Sequence, residues 1–388
     1  MGGPKGQLTC IYGCGPHLTG QRLASELLVA GLRQRGWSVR VLTMPLLPRT
    51  ADGKGRWQAV GLVLRLVPAE LRALAAALSP DILCVNLGQT SFAMIRDGLA
   101  LLLRRALRRP GRAVVALHGD LFTQWAPGSR QARILRGILA AASRVTVLGE
   151  RQKAHLVRLG VPPDRVAHVD NTCALPPISA EACRRKQALA AEEPLRILFL
   201  SNLLESKGYP EFLAALALLG QRTPRPVEAV LCGQVVLSDE DGRFRSVAEA
   251  SRWIEARLAA INGHGRCQVR WIQGAYGREK EALFHQSHVF VLPTRYPVEA
   301  QPLVLLEALA SGCAIITTRQ GEIPSTLSPE TAILLAEAAP DALADALVRL
   351  AQDDATRLRL ALAGLELFRA RFSLDRHLNR WEELLANV

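Results

Sequence analysis

The chain has 388 residues, 49% of them hydrophobic, with a mean hydropathy of +0.12. That length holds two domains with separate cores, and the composition argues for a soluble α/β protein and against disorder. The net charge of +13 is one-sided: residues 1–180 carry 24 Lys/Arg against 9 Asp/Glu, and residues 181–388 carry 24 against 26. An anionic partner is therefore expected at the first half. Its densest basic run, Arg104, Arg105, Arg108, Arg109 and Arg112, closes an apolar helix, Phe92–Leu107. It reads either as a solvated arginine face or as an attraction to an anionic membrane surface. Nucleic acid is not expected, because no binding motif is present and aromatics are 5%.

Eight scattered cysteines form no Cys-x2-Cys pair, and Cys10 and Cys14 have no second ligand pair nearby. They read as reduced core residues of a cytoplasmic protein, and no metal site is expected. No secretory leader shows, since Met1-Gly-Gly-Pro-Lys runs straight into strand-like Leu8–Tyr12. The weakly charged window Ala300–Thr318 reads as a buried helix, turn and strand rather than a membrane span.

In chain order, Leu8–Tyr12 is a strand, followed by a Gly-rich turn, a helix near Gln21–Arg35 and a strand Ser38–Thr43. Strands Ile82–Asn86, Ala113–Leu117 and Arg144–Leu148 follow, and the alternation argues for a parallel sheet covered by helices. Periodicity lapses around Ala174–Pro194, the best linker candidate. The pattern then restarts: strand Leu195–Leu200, helix Pro210–Leu219, strands Val227–Cys232 and Cys267–Ile272, helix Gly277–His285, strand Val289–Leu292. Two doubly wound Rossmann-like domains facing across a cleft are expected, with ligands at the carboxyl ends of the strands.

Between Val289–Leu292 and the apolar run Ala314–Ile316 lies Glu299-Ala-Gln-Pro-Leu-Val-Leu-Leu-Glu307-Ala-Leu-Ala-Ser-Gly312. Pro302 suits the first helical turn and Gly312 the helix end. Glu299 then sits at the helix mouth and Glu307 about a turn and a half inside. A carboxylate beside free helix-start amides suits a phosphate carrying a polyol, which is a nucleotide-sugar site. Ser201-Asn-Leu-Leu-Glu-Ser-Lys207-Gly208 follows the first strand of the same domain, where a lysine can pair with a diphosphate. His118, in Leu117-His118-Gly119, ends a first-domain strand on the expected cleft side.

Other motifs carry less. The turn Gly13-Cys-Gly-Pro-His-Leu-Thr-Gly20 lacks the dinucleotide spacing, and Thr43 stands where an acid is wanted. It is a tight turn near a phosphate or sugar, or simply structural. His285 and His288 have no third ligand nearby. Asp239-Glu240-Asp241 has the look of a metal-binding Asp-x-Asp but reads as a polar loop closed by Gly242.

Together these residues resemble the retaining glycosyltransferases of family 4, the group 1 glycosyltransferases of GT-B fold, most strongly from Leu195 to Leu327. The carriers are the Glu-x7-Glu pair Glu299 and Glu307, Lys207-Gly208, His118-Gly119, Asn171-Thr172 and Gly321-Glu-Ile-Pro-Ser325. The resemblance implies a first, acceptor-side domain over 1–178, a linker over 179–194, a nucleotide-sugar domain over 195–373, and a last helix, 374–388, crossing back onto the first domain. It implies that Glu299 binds the donor sugar and Glu307 the ribose. Lys207 would neutralise the departing diphosphate, with amides near Pro302, Leu303 and Val304. His118 would contact the sugar, and the Gly15–Gly20 turn would lie near the donor phosphates or acceptor. Asn202 stands where the family often has an arginine, so Arg295 or Arg319 is expected to supplement Lys207. Ala300 replaces a glycine and Ser325 a glutamate of the family pattern.

The expected function is metal-independent, retaining transfer of a hexose from a nucleotide diphosphate sugar to a glycan or lipid-linked acceptor. No cofactor is expected. Surface polysaccharide assembly at the inner face of the membrane is the expected setting. A nucleotide-sugar epimerase or hydrolase, and a catalytically silent scaffold subunit, are the alternative readings.

Overall fold

The computed structural model describes residues 5–14, 19–45, 56–107, 112–190, 192–238, 241–263 and 265–388, apart from the side chains of 56–64. Gly15, Asp239, Glu240, Arg108 and Arg109 lie outside the described residues. The chain divides into two compact units, Met1–Thr172 with Leu374–Val388, and Cys173–Ser373.

The first unit holds six parallel strands: β1 (Gln7–Cys14), β2 (Ser38–Pro45), β3 (Ile82–Asn86), β4 (Ala113–Ala116), β5 (Arg144–Val147) and β6 (Val166–His168), in the order β2-β1-β3-β4-β5-β6. Its helices are α1 (Gly20–Gln34), α2 (Arg56–Ala76), α3 (Ser91–Ala106), α4 (Arg130–Leu139) and α5 (Glu150–Arg158). Strands β3 and β4 are buried at every position, which is why they read as apolar runs without alternation. One sheet face, with Ile11, Leu83 and Val85, packs on Ala69 and Ala73 of α2 and Met94 and Leu101 of α3. Cys10, Cys84 and Val114 of the opposite face pack on Leu28 and Leu32 of α1.

The second unit repeats the plan with β7 (Leu195–Leu200), β8 (Val227–Cys232), β9 (Cys267–Ile272), β10 (Val289–Leu292), β11 (Ala314–Thr318) and β12 (Ile333–Leu335), all parallel, in the order β12-β11-β10-β7-β8-β9. The helices are α6 (Ala180–Gln187), α7 (Tyr209–Arg222), α8 (Val247–Asn262), α9 (Gly277–Gln286), α10 (Leu303–Ala310), a single turn α11 (Ile323–Thr326), α12 (Pro340–Gln352) and α13 (Asp354–Leu367). The chain winds outward from β7 to β9, then returns to the middle and winds the other way from β10 to β12. The strand order therefore reverses between β7 and β10, and the loops leaving their carboxyl ends part to form a crevice. Those two loops carry Lys207 and Glu299.

Two expectations change. Residues 179–194 are not a free linker, because α6 is fastened to the second unit. The fully buried Arg357 of α13 donates to the Gln187 side-chain oxygen at 3.0 Å and to its carbonyl at 2.9 Å. Gln187 in turn donates to the carbonyls of His288 and Gly312, at 3.0 and 2.9 Å. Lys186 donates to the Ser311 carbonyl at 2.7 Å. Arg104, expected in the solvated basic run, points inward and donates to the carbonyls of Asp81 and Ser79. Its guanidinium caps backbone oxygens of the turn between α2 and β3. Helix α14 (Leu374–Ala386) belongs to the first unit, adding Leu378, Trp381, Leu384 and Leu385 to the core beside α1. Among the described residues, no helix is long and apolar enough to cross a membrane.

Replacing Gln187 by alanine strips a buried arginine of its side-chain acceptor and removes one donor from each of two carbonyls. Gln187→Ala is expected to destabilise the protein by about 2–4 kcal/mol, read as a fall in urea midpoint at constant m-value. An unchanged midpoint would detach α6 from the stability of this unit.

Candidate active site

Lys207 closes a short 3-10 turn, Glu205–Lys207, that leaves β7. Gly208 follows with φ +87°, and a Cβ there would lie 2.2 Å from the Pro293 carbonyl oxygen. Only glycine tolerates both the left-handed backbone and that approach, so the Lys-Gly pair brings the β7 loop against the β10 loop. Arg295 completes the junction. Its N–H donates to the Ser206 carbonyl at 2.7 Å, and its guanidinium donates to the Glu205 carbonyl at 2.8 Å and faces Glu211 at 3.4 Å. The residue expected to supplement the lysine's charge thus braces the turn that presents it. Arg319 is exposed just past β11.

Asp241, weighed in the sequence as a metal ligand, accepts the Ser206 N–H at 3.1 Å. Glu205 accepts the N–H groups of Arg243 and Phe244 at 3.0 and 3.2 Å. Asp241, past β8, thus holds the lysine turn. Asn202 is exposed, with its carbonyl accepting the Leu204 N–H.

Glu299 is buried at the end of the β10 loop, and its Oε2 lies 2.5 Å from the Lys207 ammonium. The Thr294 hydroxyl donates to the same oxygen at 3.1 Å. The lysine also stands 4.7 Å from the centre of the Tyr296 ring. The backbone of Glu299 is fixed from behind by Gly321, with φ +59°, where a Cβ would fall 1.7 Å from the Glu299 carbonyl oxygen. Glu322 donates its N–H to the Ala300 carbonyl at 3.1 Å. The Gly-Glu-Ile-Pro segment is therefore the backstop of the carboxylate.

Pro302 sits one place earlier than expected, as the N-cap of α10, a shift of the size by which helix ends differ. Leu303 and Val304 open the helix, and no bonds to their amides arise from the first turn of a helix. Glu307 is the fifth residue of α10 and is buried. Its Oε1 accepts from the Lys280 ammonium of α9 at 2.6 Å, while its Oε2 is buried without a partner. Burial pushes this carboxyl upward, against the pull of Lys280. Lys280 was invisible in the sequence, lying on a different helix 27 positions away with no motif around it. The Ser206 hydroxyl, beside Lys207 in sequence, is likewise buried without a partner.

His118 belongs to the first unit, two places past β4, beside a small cavity lined by Cys10, Ser25, Cys84, Asn86, His377 and Trp381. Burial, then the neighbouring His377, lower the His118 imidazole to about 4, and the Asn171 side chain partly opposes this. His377 binds the Asp170 carbonyl through Nδ1 at 2.7 Å, and burial lowers it to about 4. Gly20, expected near phosphates, opens α1 after the N-cap Thr19.

A reversal of strand order, a lysine and a carboxylate joined there, and a second half-satisfied carboxylate on the adjoining helix define a site for a charged, hydroxyl-rich ligand. Residues 182–366 match the family model of glycosyl transferases group 1, and residues 19–172 match that of a glycosyl transferase 4-like domain. The chain belongs to the group 1 glycosyl transferases. It is 28% identical over 170 residues to the D-inositol 3-phosphate glycosyltransferase of Corynebacterium diphtheriae, a match over 43% of this chain and 37% of that protein's length. It is 23% identical over 316 residues to the amylovoran biosynthesis glycosyltransferase AmsK of Erwinia amylovora, over 80% of this chain and 70% of the relative. Solved structures of the same GT-B fold include Anabaena HepE in complex with UDP, at TM-score 0.69 and 15% identity over 98% of this chain and 100% of that one. Sucrose-phosphate synthase of Thermosynechococcus elongatus matches at TM-score 0.69 and 20% identity, over 98% of each chain.

His118 and His377 set a pH dependence. Each has a folded value near 4 against an ordinary 6.5, so on acidification the unfolded chain takes up protons first and is favoured. Stability is expected to fall between pH 6.5 and about 4 and to be insensitive to this pair above 6.5. His377→Asn, which keeps a donor for Asp170, should flatten that fall in urea midpoints; an equal slope in the variant would assign the acid loss elsewhere.

Proposed function

We propose that this protein is a retaining, metal-independent hexosyltransferase that uses a nucleotide diphosphate sugar. The observation that carries the reading is the contact of Lys207 with Glu299 at the reversal of strand order, beside the start of α10. Anabaena HepE has been solved in complex with UDP, with UDP and glucose, and with UDP-glucose, which supports the same donor class here.

In this reading the diphosphate takes over the Lys207 ammonium, and the first amides of α10 at Leu303 and Val304 add partial positive charge. The lysine's pairing with Glu299 is thereby loosened, freeing the carboxylate to accept sugar hydroxyls. The unpartnered Glu307 Oε2 accepts the ribose hydroxyls. As the bond from the anomeric carbon to the phosphate oxygen breaks, its electron pair stays on that oxygen, where Lys207 stabilises it. The acceptor hydroxyl forms the new bond on the same face and passes its proton to the departing phosphate. His118, neutral at pH 7, contacts the sugar as a hydrogen-bonding group rather than as a cation. A glycan or lipid-linked acceptor in polysaccharide assembly fits the relative named for amylovoran biosynthesis.

Lys207→Ala is expected to lower kcat by about 10²–10³, whereas Glu307→Gln should chiefly raise the KM for the donor. EDTA should leave the rate unchanged, and the product should keep the donor's anomeric configuration by NMR. Full turnover by Lys207→Ala would remove the site assignment. Sugar release without an acceptor would make the protein a hydrolase.

A further inference from the structure

The outward faces of α2 and α3 are apolar where solvent-facing helices of a water-soluble domain are polar. On α3, Phe92, Ile95, Leu99 and Leu102 are 62, 47, 37 and 38% exposed. Their spacing of three, four and three places them in one stripe of the helix. On α2, Val67 and Leu71 are 54 and 61% exposed, and Leu78 just beyond the helix is 49% exposed, again one stripe. Both helices bury their opposite faces in the same core, so they lie on the same side of the first sheet. They also pack on one another. The two stripes are neighbours, each running about 15 Å at 1.5 Å per residue, and this exceeds the scattered exposed leucines that need no explanation.

Among the described residues of α2 and α3, the exposed charged groups have one sign. Arg65, Arg72 and Arg105 are exposed, with Arg112 beyond the helix. No described residue of α2 or α3 exposes a carboxylate. Asp97 is buried against Arg96 at 2.6 Å, and both carboxylate oxygens of Glu70 are shut from solvent. A second copy would bring arginine against arginine with no acid to answer it, which disfavours self-association through this face. Apolar side chains flanked, among the described residues of these helices, by guanidinium groups and no exposed carboxylate match the acyl boundary and phosphates of an anionic leaflet.

We propose that the protein docks on an anionic phospholipid bilayer through the outer faces of α2 and α3, with Leu71, Phe92, Ile95 and Leu99 in the acyl boundary and Arg65, Arg72 and Arg105 on lipid phosphates. The site lies apart from Lys207, Glu299 and Glu307 and does not rest on the reading of their chemistry.

The full chain should cosediment with vesicles of phosphatidylglycerol and phosphatidylcholine in equal parts, and far less with phosphatidylcholine alone. Raising salt should weaken binding by screening the arginines. The double variant L71S/F92S should lower the partition coefficient about tenfold or more, with circular dichroism and thermal midpoint unchanged. R72Q/R105Q should remove the preference for the anionic vesicles. Equal pelleting of L71S/F92S and the parent would overturn the proposal. So would absence of binding to the anionic vesicles at low salt. A concentration-dependent dimer that L71S/F92S dissolves, without vesicle binding, would reassign the face to protein contact.

Discussion

Everything at the candidate site depends on how closely two loops approach in the second unit. A backbone without a side chain at 208 lets the turn after β7 meet the Pro293 carbonyl. A second one at 321 lets the following loop press on the Glu299 carbonyl. Between these two contacts an ammonium and a carboxylate face each other at 2.5 Å, away from most of the solvent. Neither charge would be stable there alone. Each charge therefore holds the other in place. Around it, Asp241, Glu205 and Arg295 bond to backbone rather than to each other, so the charged shell fixes the turn.

The second carboxylate follows a different rule. Glu307 is half satisfied: Lys280 holds one oxygen, and burial leaves the other without a donor. A group so placed costs stability unless something binds it. That cost separates Glu307 from Glu299, whose contacting oxygen accepts two hydrogen bonds. The eight-residue spacing that made them look like a matched pair conceals this asymmetry.

Both sheets were legible in the amino-acid sequence because buried parallel strands are apolar throughout and their connections are punctuated by glycine and proline. Lys207, Glu299 and Glu307 were legible for a related reason, since each stands at the carboxyl end of such a strand or on the helix behind it. What pattern could not reveal were groups that act across the fold. Lys280 has no local signature, and Arg295, expected to supplement the lysine's charge, holds the Glu205 and Ser206 carbonyls and faces Glu211. Helix α6 hid inside a stretch rich in proline and alanine, because Gln187 is anchored by an arginine 170 positions later. The run of arginines drew attention to charge at the end of α3, whereas the apolar stripe along that helix shows only once its buried face is known.

Helix α14 carries a consequence for synthesis. It completes one face of the first unit's core with Leu378, Trp381, Leu384 and Leu385, yet it is made after the whole of the second unit. On the ribosome the second unit has all its strands and helices while the first still shows the apolar surface around Leu28 and Leu32. The half of the protein that is translated first is thus the half that finishes folding last, and its exposed core face must be shielded throughout the translation of its neighbour.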